Sequence, residues 1–292
     1  MEVTNDGSVL SGARAAHRNA GWRGRLGLVA VRVALVLFFV PFQALLQQGQ
    51  LLADSTPVRI QTKGAIGTYT NTLAVTFDSP TTSGNQLVVA LVDYYPNDGV
   101  PFSISDSRGN TWKTAVDYVN GAHIVVLYAE NIAGGADTVT VTASSPTYFG
   151  MTAVEYTGLA SANSLDVVAS NRATGASYTS TVVTLASGNE LLFGVHRVGG
   201  STVTFTPTSP WSTVATQINY DETQVQDRVV AAAGTYASTG TESTPNDTMS
   251  VLVAFRGGWT GGLPAISSFT ASPSTILGGN RDRKSTRLNS SH

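Results

Sequence analysis

Ser83-Gly84-Asn85-Gln86-Leu87-Val88-Val89-Ala90-Leu91 decides the fold, because it returns 104 residues later as Ser187-Gly188-Asn189-Glu190-Leu191-Leu192-Phe193-Gly194-Val195. In each copy a turn tripeptide runs into an almost unbroken apolar stretch. A short run of that kind, bounded by turn residues, marks a strand buried on both faces or lying in a sandwich core. We therefore expect two equivalent central strands, one in each half of a duplicated β unit.

The flanking sequence repeats the plan. Thr138-Val139-Thr140-Val141-Thr142 alternates strictly, as a half-buried strand does. Asn97-Asp98-Gly99, Asn120-Gly121 and Gly134-Gly135 supply turn chemistry. Trp112 matches Trp211, and Val154-Glu155-Tyr156 matches Val253-Ala254-Phe255. Thr, Val and Gly are abundant and long amphipathic helical patterns are absent, so the class is all-β. The segment joining the halves, 157–165, is short and lacks linker composition. We expect one duplicated β-sandwich over 54–257, with halves at about 54–158 and 159–257, jelly-roll-like with an internal two-fold repeat. The alternative is two tandem Ig-like sandwiches, since each half is near that size.

Between Asp54 and Trp259 the chain holds 8 Lys and Arg against 16 Asp and Glu. An acidic body repels phosphate backbones, which excludes nucleic acid as an expected partner. The chain has no Cys, so disulfides, thiolate metal sites and Cys nucleophiles are excluded together.

Arg14, Arg18, Arg23 and Arg25 precede an apolar stretch from Leu26 to Leu46. Its cleaner core, 33–42, has the length of a signal-peptide h-region rather than of a membrane span. Residues 1–53 are therefore expected to be a signal peptide, with Ala53 a candidate cleavage point, or else a membrane anchor. Both place the body outside the cell or on its surface, and membrane contact is expected only through such an anchor.

Pro264-Ala265-Ile266-Ser267-Ser268-Phe269-Thr270-Ala271-Ser272-Pro273 resembles the opening strand of bacterial Ig-like repeats. Residues 258–280 then read as a linker and the first strand of a truncated Ig-like domain. Asp282-Arg283-Lys284-Ser285-Thr286-Arg287-Leu288-Asn289-Ser290-Ser291-His292 resembles one translated frame of a sequencing adapter, so 281–292 are expected to be an artefactual tail. The body itself resembles a set of exported bacterial β-sandwich proteins of unassigned function. The resemblance is carried by Asp106-Ser-Arg-Gly-Asn-Thr-Trp112, Tyr128-Ala-Glu-Asn-Ile-Ala-Gly-Gly135, Val154-Glu-Tyr-Thr-Gly-Leu159 and Asp227-Arg-Val-Val-Ala-Ala-Ala-Gly-Thr-Tyr236. It spans most of 58–256 and implies a surface or extracellular role. It brings no catalytic residues with it.

Chemistry-bearing residues are few. His123 and His196 occupy non-equivalent places and show no metal-ligand spacing, so solvated or edge positions are expected for both. No Gly-x-Ser-x-Gly elbow is present. Glu155 is the best single carboxylate: Ala254 stands at its repeat position, so the fold does not require the acid, and its face, Met151-Ala153-Glu155, is less bulky than the Val154-Tyr156 face, so an outer or groove side is expected, but a glycosidase needs two. Asp106 and Asn110 place two oxygen side chains around a Gly turn. That suits a hard cation such as Ca²⁺, or equally a turn capped by its own side chains. Tyr94 and Tyr95, at a strand end beside Asp98, form the most exposed-looking aromatic pair and would suit a sugar ring. Trp112 and Trp211, at matching positions, read as core. The expected binding residues are thus Tyr94, Tyr95, Asp98 and Glu155, the candidate metal ligands Asp106 and Asn110, and no catalytic residue is assigned. The expected role is a non-catalytic extracellular binding or adhesion module for a glycan or surface protein. The alternatives are a structural spacer and a carbohydrate-active enzyme.

Overall fold

The computed structural model describes residues 55–95, 99–200, 203–218 and 221–258, with only the backbone of Tyr95. The leader region, the Ig-like strand, the tail and the linker beyond Gly258 lie outside them. Strands and no helix make up the regular structure of the described residues.

Two five-stranded antiparallel sheets form the centre. The first runs, edge to edge, β1 (Val58–Ile66), β7 (Thr138–Thr157), β3 (Gln86–Tyr95), β6 (His123–Ala129), β5 (Lys113–Val119). The second runs β8 (Leu165–Thr179), β15 (Thr239–Arg256), β10 (Glu190–Gly199), β13 (Asp221–Val230), β12 (Ser212–Ile218). The two sheets pack face to face. Val88, Ala90, Val92, Ile124, Val126 and Val154 meet Leu191, Phe193, Val195, Val251, Val253 and Phe255 in one sealed core. Tyr128 stacks at a tilt on Phe255 with ring centres 5.3 Å apart, and Tyr156 sets its edge on Phe193 at 6.4 Å. At the flanks β1 lies near β12 and β5 near β8.

Neither sheet has a solvated back. The first part of β7 leaves the large sheet and pairs with β2 (Thr70–Thr76) and β4 (Phe102–Asp106). These strands cover Leu87, Val89, Leu91, Val125 and Met151 with Val75, Val139 and Val141. On the far side β9 (Val183–Leu185) pairs with β14 (Gly234–Tyr236), and β11 (Phe205–Pro207) pairs with the first part of β15. Behind them Leu192, Val230, Leu252 and Trp211 are buried. Trp112 packs against the core of the first half and is partly buried. The result is four layers of sheet in one compact unit. Each half builds its own pair of layers, as tandem sandwiches would, yet the halves share the largest core, as a single sandwich would.

The matched stretches occupy the third strand of each large sheet, but their phase differs. Leu87, Val89 and Leu91 face the outer layer, whereas Leu191, Phe193 and Val195 face the seam between the sheets. Side chains alternate along a strand, so a slip of one residue exchanges the faces. The preceding turns carry the slip. The left-handed residue is Gly84 in one (φ 88°) and Asn189, not Gly188, in the other (φ 59°). The 104-residue offset is therefore one residue away from the offset that superposes buried faces.

Because the halves share a core, they should unfold together. Phe193→Ala empties a fully buried site in it and is expected to cost about 3–5 kcal/mol. Urea denaturation followed by fluorescence should still show a single transition, displaced to lower urea.

Candidate functional site

The carboxylate singled out in the sequence is internal. Glu155 is fully buried under the outer layer, not on a groove. Its Oε1 accepts from Thr82 N at 2.8 Å and Asn85 Nδ2 at 2.6 Å, and its Oε2 from Gln61 Nε2 at 2.6 Å. Gln61 also binds both backbone groups of Ser79. Glu155 thus anchors the loop that leads into β3. Removing it leaves buried donors unpaired, so Glu155→Ala should cost on the order of 3 kcal/mol. Hydrogen exchange of the Thr82 amide should accelerate with it.

The aromatic pair also turns inward. Tyr94 belongs to the seam core, 6 % exposed, with its hydroxyl 3.2 Å from Thr223 Oγ1. Burial pushes its phenol up to about 12. Alternation along a strand buried on both faces sends Tyr94 to the seam, so it offers no face to a sugar. Tyr95 is described only by its backbone, opposite Tyr148, and Asp98 lies outside the described residues.

Asp106 caps its own turn. Oδ1 accepts from the backbone of Arg108 at 2.8 Å and Asn110 at 3.1 Å, and Oδ2 from Trp112 Nε1 at 2.7 Å. Asn110 Oδ1 accepts from Ala133 N at 2.7 Å. The oxygens face N–H donors, as a side-chain-capped turn requires. Among the described residues no group of three acidic or imidazole side chains is placed to hold a metal.

Both histidines are buried, against the expectation of solvated positions. His123 sits at the start of β6 with Nε2 2.6 Å from Asp117 Oδ1. His196 is wholly enclosed, Nδ1 2.9 Å from Ser250 Oγ and Nε2 2.8 Å from Ser238 Oγ. Ser238 also accepts from Gln226 Nε2 at 2.9 Å, and Tyr178 donates to Gln226 Oε1 at 2.9 Å. Gly194 makes room: a Cβ there would stand 2.1 Å from Ser238 Oγ. The contact of Ser238 with His196 mimics a hydrolase dyad, but Ser238 is fully buried and out of a substrate's reach. The network is a satisfied polar core.

Burial lowers the His196 pKa to about 3. The unfolded imidazole protonates near about 6.5, so between those values the unfolded chain binds more protons. Stability therefore falls as pH drops from about 6.5 toward 3, by on the order of 1.4 kcal/mol per unit. The buried carboxyls of Glu190, Asp227 and Glu242 are raised by burial and act in the opposite sense. His196→Gln should remove the imidazole's part alone. Urea midpoints of wild type and variant at neutral and mildly acidic pH measure the difference.

A cleft lies where no motif pointed. At one end of the seam a cleft of about 360 Å³ is lined by Pro57, Val58, Arg59, Tyr156, Pro210 and Asp227, among others. A bulge in β1 builds it. Arg59 pairs with Tyr156 and Gln61 with Glu155, leaving Ile60 as the extra residue. Residues opposite each other on a ladder share a face, so the bulge sends Arg59 to the seam and Gln61 to the outer layer. In the seam Tyr156 donates to Asp227 Oδ2 at 2.9 Å, and Arg59 Nε lies 3.5 Å from the same oxygen. Arg59 Nη1 also donates to Thr213 O at 3.0 Å. Burial raises the Asp227 pKa, partly offset by Arg59 and by the Tyr156 hydroxyl. The Tyr156 phenol is driven well above its ordinary range, first by burial and then by the Asp227 charge.

The opposite flank is a control within the same molecule. The β5–β6 ladder pairs Lys113 with Tyr128 and Thr114 with Leu127, bulges, and resumes at Val116 with Val126. The β12–β13 ladder pairs Ser212 with Asp227 and Thr213 with Gln226, bulges, and resumes at Ala215 with Val225. Asp227 thus holds the ladder position of Tyr128. By the same registers Tyr156 corresponds to Phe255, and Arg59 to Leu165. One flank of the seam is closed by Tyr128, Phe255 and Leu165. The other carries an acid, a phenol and a guanidinium at those positions; the first flank has its own phenol in Tyr128, with the Lys113 ammonium 5.7 Å over the ring and paired to the nearly buried Glu130.

No family model, curated protein or solved structure matches this chain.

Proposed function

We propose that the chain is a non-catalytic extracellular binding module, held out sideways from a larger surface protein, with the seam cleft as its ligand site. One observation carries this reading. The chain arrives at Ser55 and leaves at Gly258, and these two residues are bridged as antiparallel neighbours. Leu159 bridges Gly257, and Gly258 N donates to Gly158 O at 2.6 Å, so arrival, crossover and departure are stitched at one point. A unit with adjoining ends adds only about one strand spacing, roughly 5 Å, to the reach of the chain. It is poorly suited to a spacer in series and well suited to display from a stalk. The Arg-flanked apolar leader and the Ig-like strand support export and a larger surface protein.

The enzyme alternative finds less support in the cleft. Asp227 is the carboxylate among its described lining residues, whereas hydrolysis between two carboxyls needs a second at about 5–9.5 Å.

The full chain, immobilised on a sensor surface and challenged with panels of polysaccharides and glycoproteins, should show saturable binding without product release. Absence of saturable binding across the panels would return the spacer reading, and turnover of a polysaccharide would return the enzyme reading.

A further inference from the structure

We infer that the seam cleft takes a neutral, hydroxyl-rich ligand, the diol edge of one sugar unit, held between Arg59 and Asp227. This rests on the binding-module reading and names the chemistry that its site recognises.

Arg59 and Asp227 lie against each other, so their charges compensate within the cleft, and Arg228, which also lines it, holds its guanidinium over the Tyr236 ring, 5.3 Å from the centre. An anionic ligand reaching Arg59 would meet Asp227, and a cation reaching Asp227 would meet Arg59. A hydroxyl has neither difficulty, since it donates and accepts at once.

The hydrogen-bonding capacity fits. The described contacts of Asp227 fall on Oδ2, which takes the Tyr156 hydroxyl and faces Arg59 Nε, and none falls on Oδ1. Arg59 has five N–H donors, and its described contacts are one donation to Thr213 O and the approach to Asp227. An acceptor and several donors therefore stand side by side, fixed by a buried phenol and a backbone carbonyl. Two adjacent ring hydroxyls match that pattern, one donating to Oδ1 and one accepting from the guanidinium. Pro57, Val58 and Pro210 give the cleft an apolar wall for the C–H face of a ring. At about 360 Å³ the cleft stands near the lower end of small-molecule sites, roughly 300–1,000 Å³, which suits a single unit of a glycan.

The opposite flank is closed differently at the matching ladder positions. At the same ladder positions Tyr128, Phe255 and Leu165 pack directly. There the cation and the acid, Lys113 and Glu130, pair beside the Tyr128 ring, off the Tyr128, Phe255 and Leu165 positions, whereas at the cleft Asp227 and Arg59 take the matching ladder positions themselves. Such a pair has little net worth for stability when set against well-packed apolar groups.

The test uses the full chain and methyl glycosides of neutral hexoses, with the matching uronic acid as the charged comparison. Saturation-transfer NMR and calorimetry should show weak binding of at least one neutral glycoside. Its affinity should change less than about twofold between roughly 0.05 and 0.5 M salt. Asp227→Asn, which still accepts the Tyr156 proton, should weaken binding about tenfold or more, with the urea midpoint measured alongside to show that the fold is kept. Tyr69→Ala, at an exposed position past the end of β1 opposite to Val58 and Arg59, should leave it unchanged. A preference for the uronic acid, with affinity falling steeply as salt rises, would overturn the neutral ligand. Retention of binding in folded Asp227→Asn, with loss in Tyr69→Ala, would overturn the cleft as the site while the module reading stood. Failure of every glycoside, together with failure of the polysaccharide panel, would remove both.

Discussion

Two-sided burial of the central sheets governs the rest of this structure. A sheet covered on both faces exposes no side-chain row to water, so each residue of its inner strands must be apolar or find its polar partners inside. Val88 and Val89 are both fully buried though they point in opposite directions. The same constraint explains the internal polar groups. Glu155, His196 and Gln226 are enclosed because their strands are enclosed, Ser238 is enclosed on the loop between β14 and β15, and each is tied to neighbours from another element. The free edges of the ladders fall to the flanks. There β1 carries a bulge and Lys63, devices that discourage edge-to-edge pairing.

The same constraint sets what could be read from the sequence. The unbroken apolar run from Leu87 identified a strand buried on both faces or in a sandwich core, and the strict alternation at Val139 and Val141 identified a half-buried one, which lies in the outer layer with that face turned inward. Phase was not legible. When both faces are apolar, a one-residue slip leaves no mark in the pattern, and the Ser-Gly-Asn match aligned stretches that face opposite ways. Tyr94 and His196 were misplaced for a related reason. Both continue an inner strand, and their polar tips suggested exposure where the run beside them argued for burial. Of the two alternatives read at Asp106, a cation site and a capped turn, the hydrogen bonds of the turn are visible because its partners are local. The cleft was invisible because its parts, Arg59, Tyr156 and Asp227, lie far apart in the chain. The bulge at Ile60 that brings Arg59 in also has no sequence signature.

The seam shows how a fold separates requirement from use. Along its centre, side chains from both sheets are interchangeable apolar fillers. At the flank where β5 approaches β8, Phe255 and Leu165 pack with the Tyr128 phenol, beside the Lys113–Glu130 ion pair. At the flank where β1 approaches β12, an acid whose ionisation burial opposes is held by a phenol and a guanidinium. The comparison requires no second protein, since the two hairpins share register and bulge. What differs between the flanks is chemistry on matching backbone.

The bridge between Ser55 and Gly258 also has a mechanical side. Tension along a longer chain would enter at one strand and leave at its neighbour, so the load would cross a single ladder step and bypass the four layers. The unit would hang slack beside the loaded path until that step parted. Beyond that point force would peel β1 and β15 from their partners one hydrogen bond after another, the weak direction for a sheet. A body hung in this way is shielded from pull at low force and is a fuse at high force.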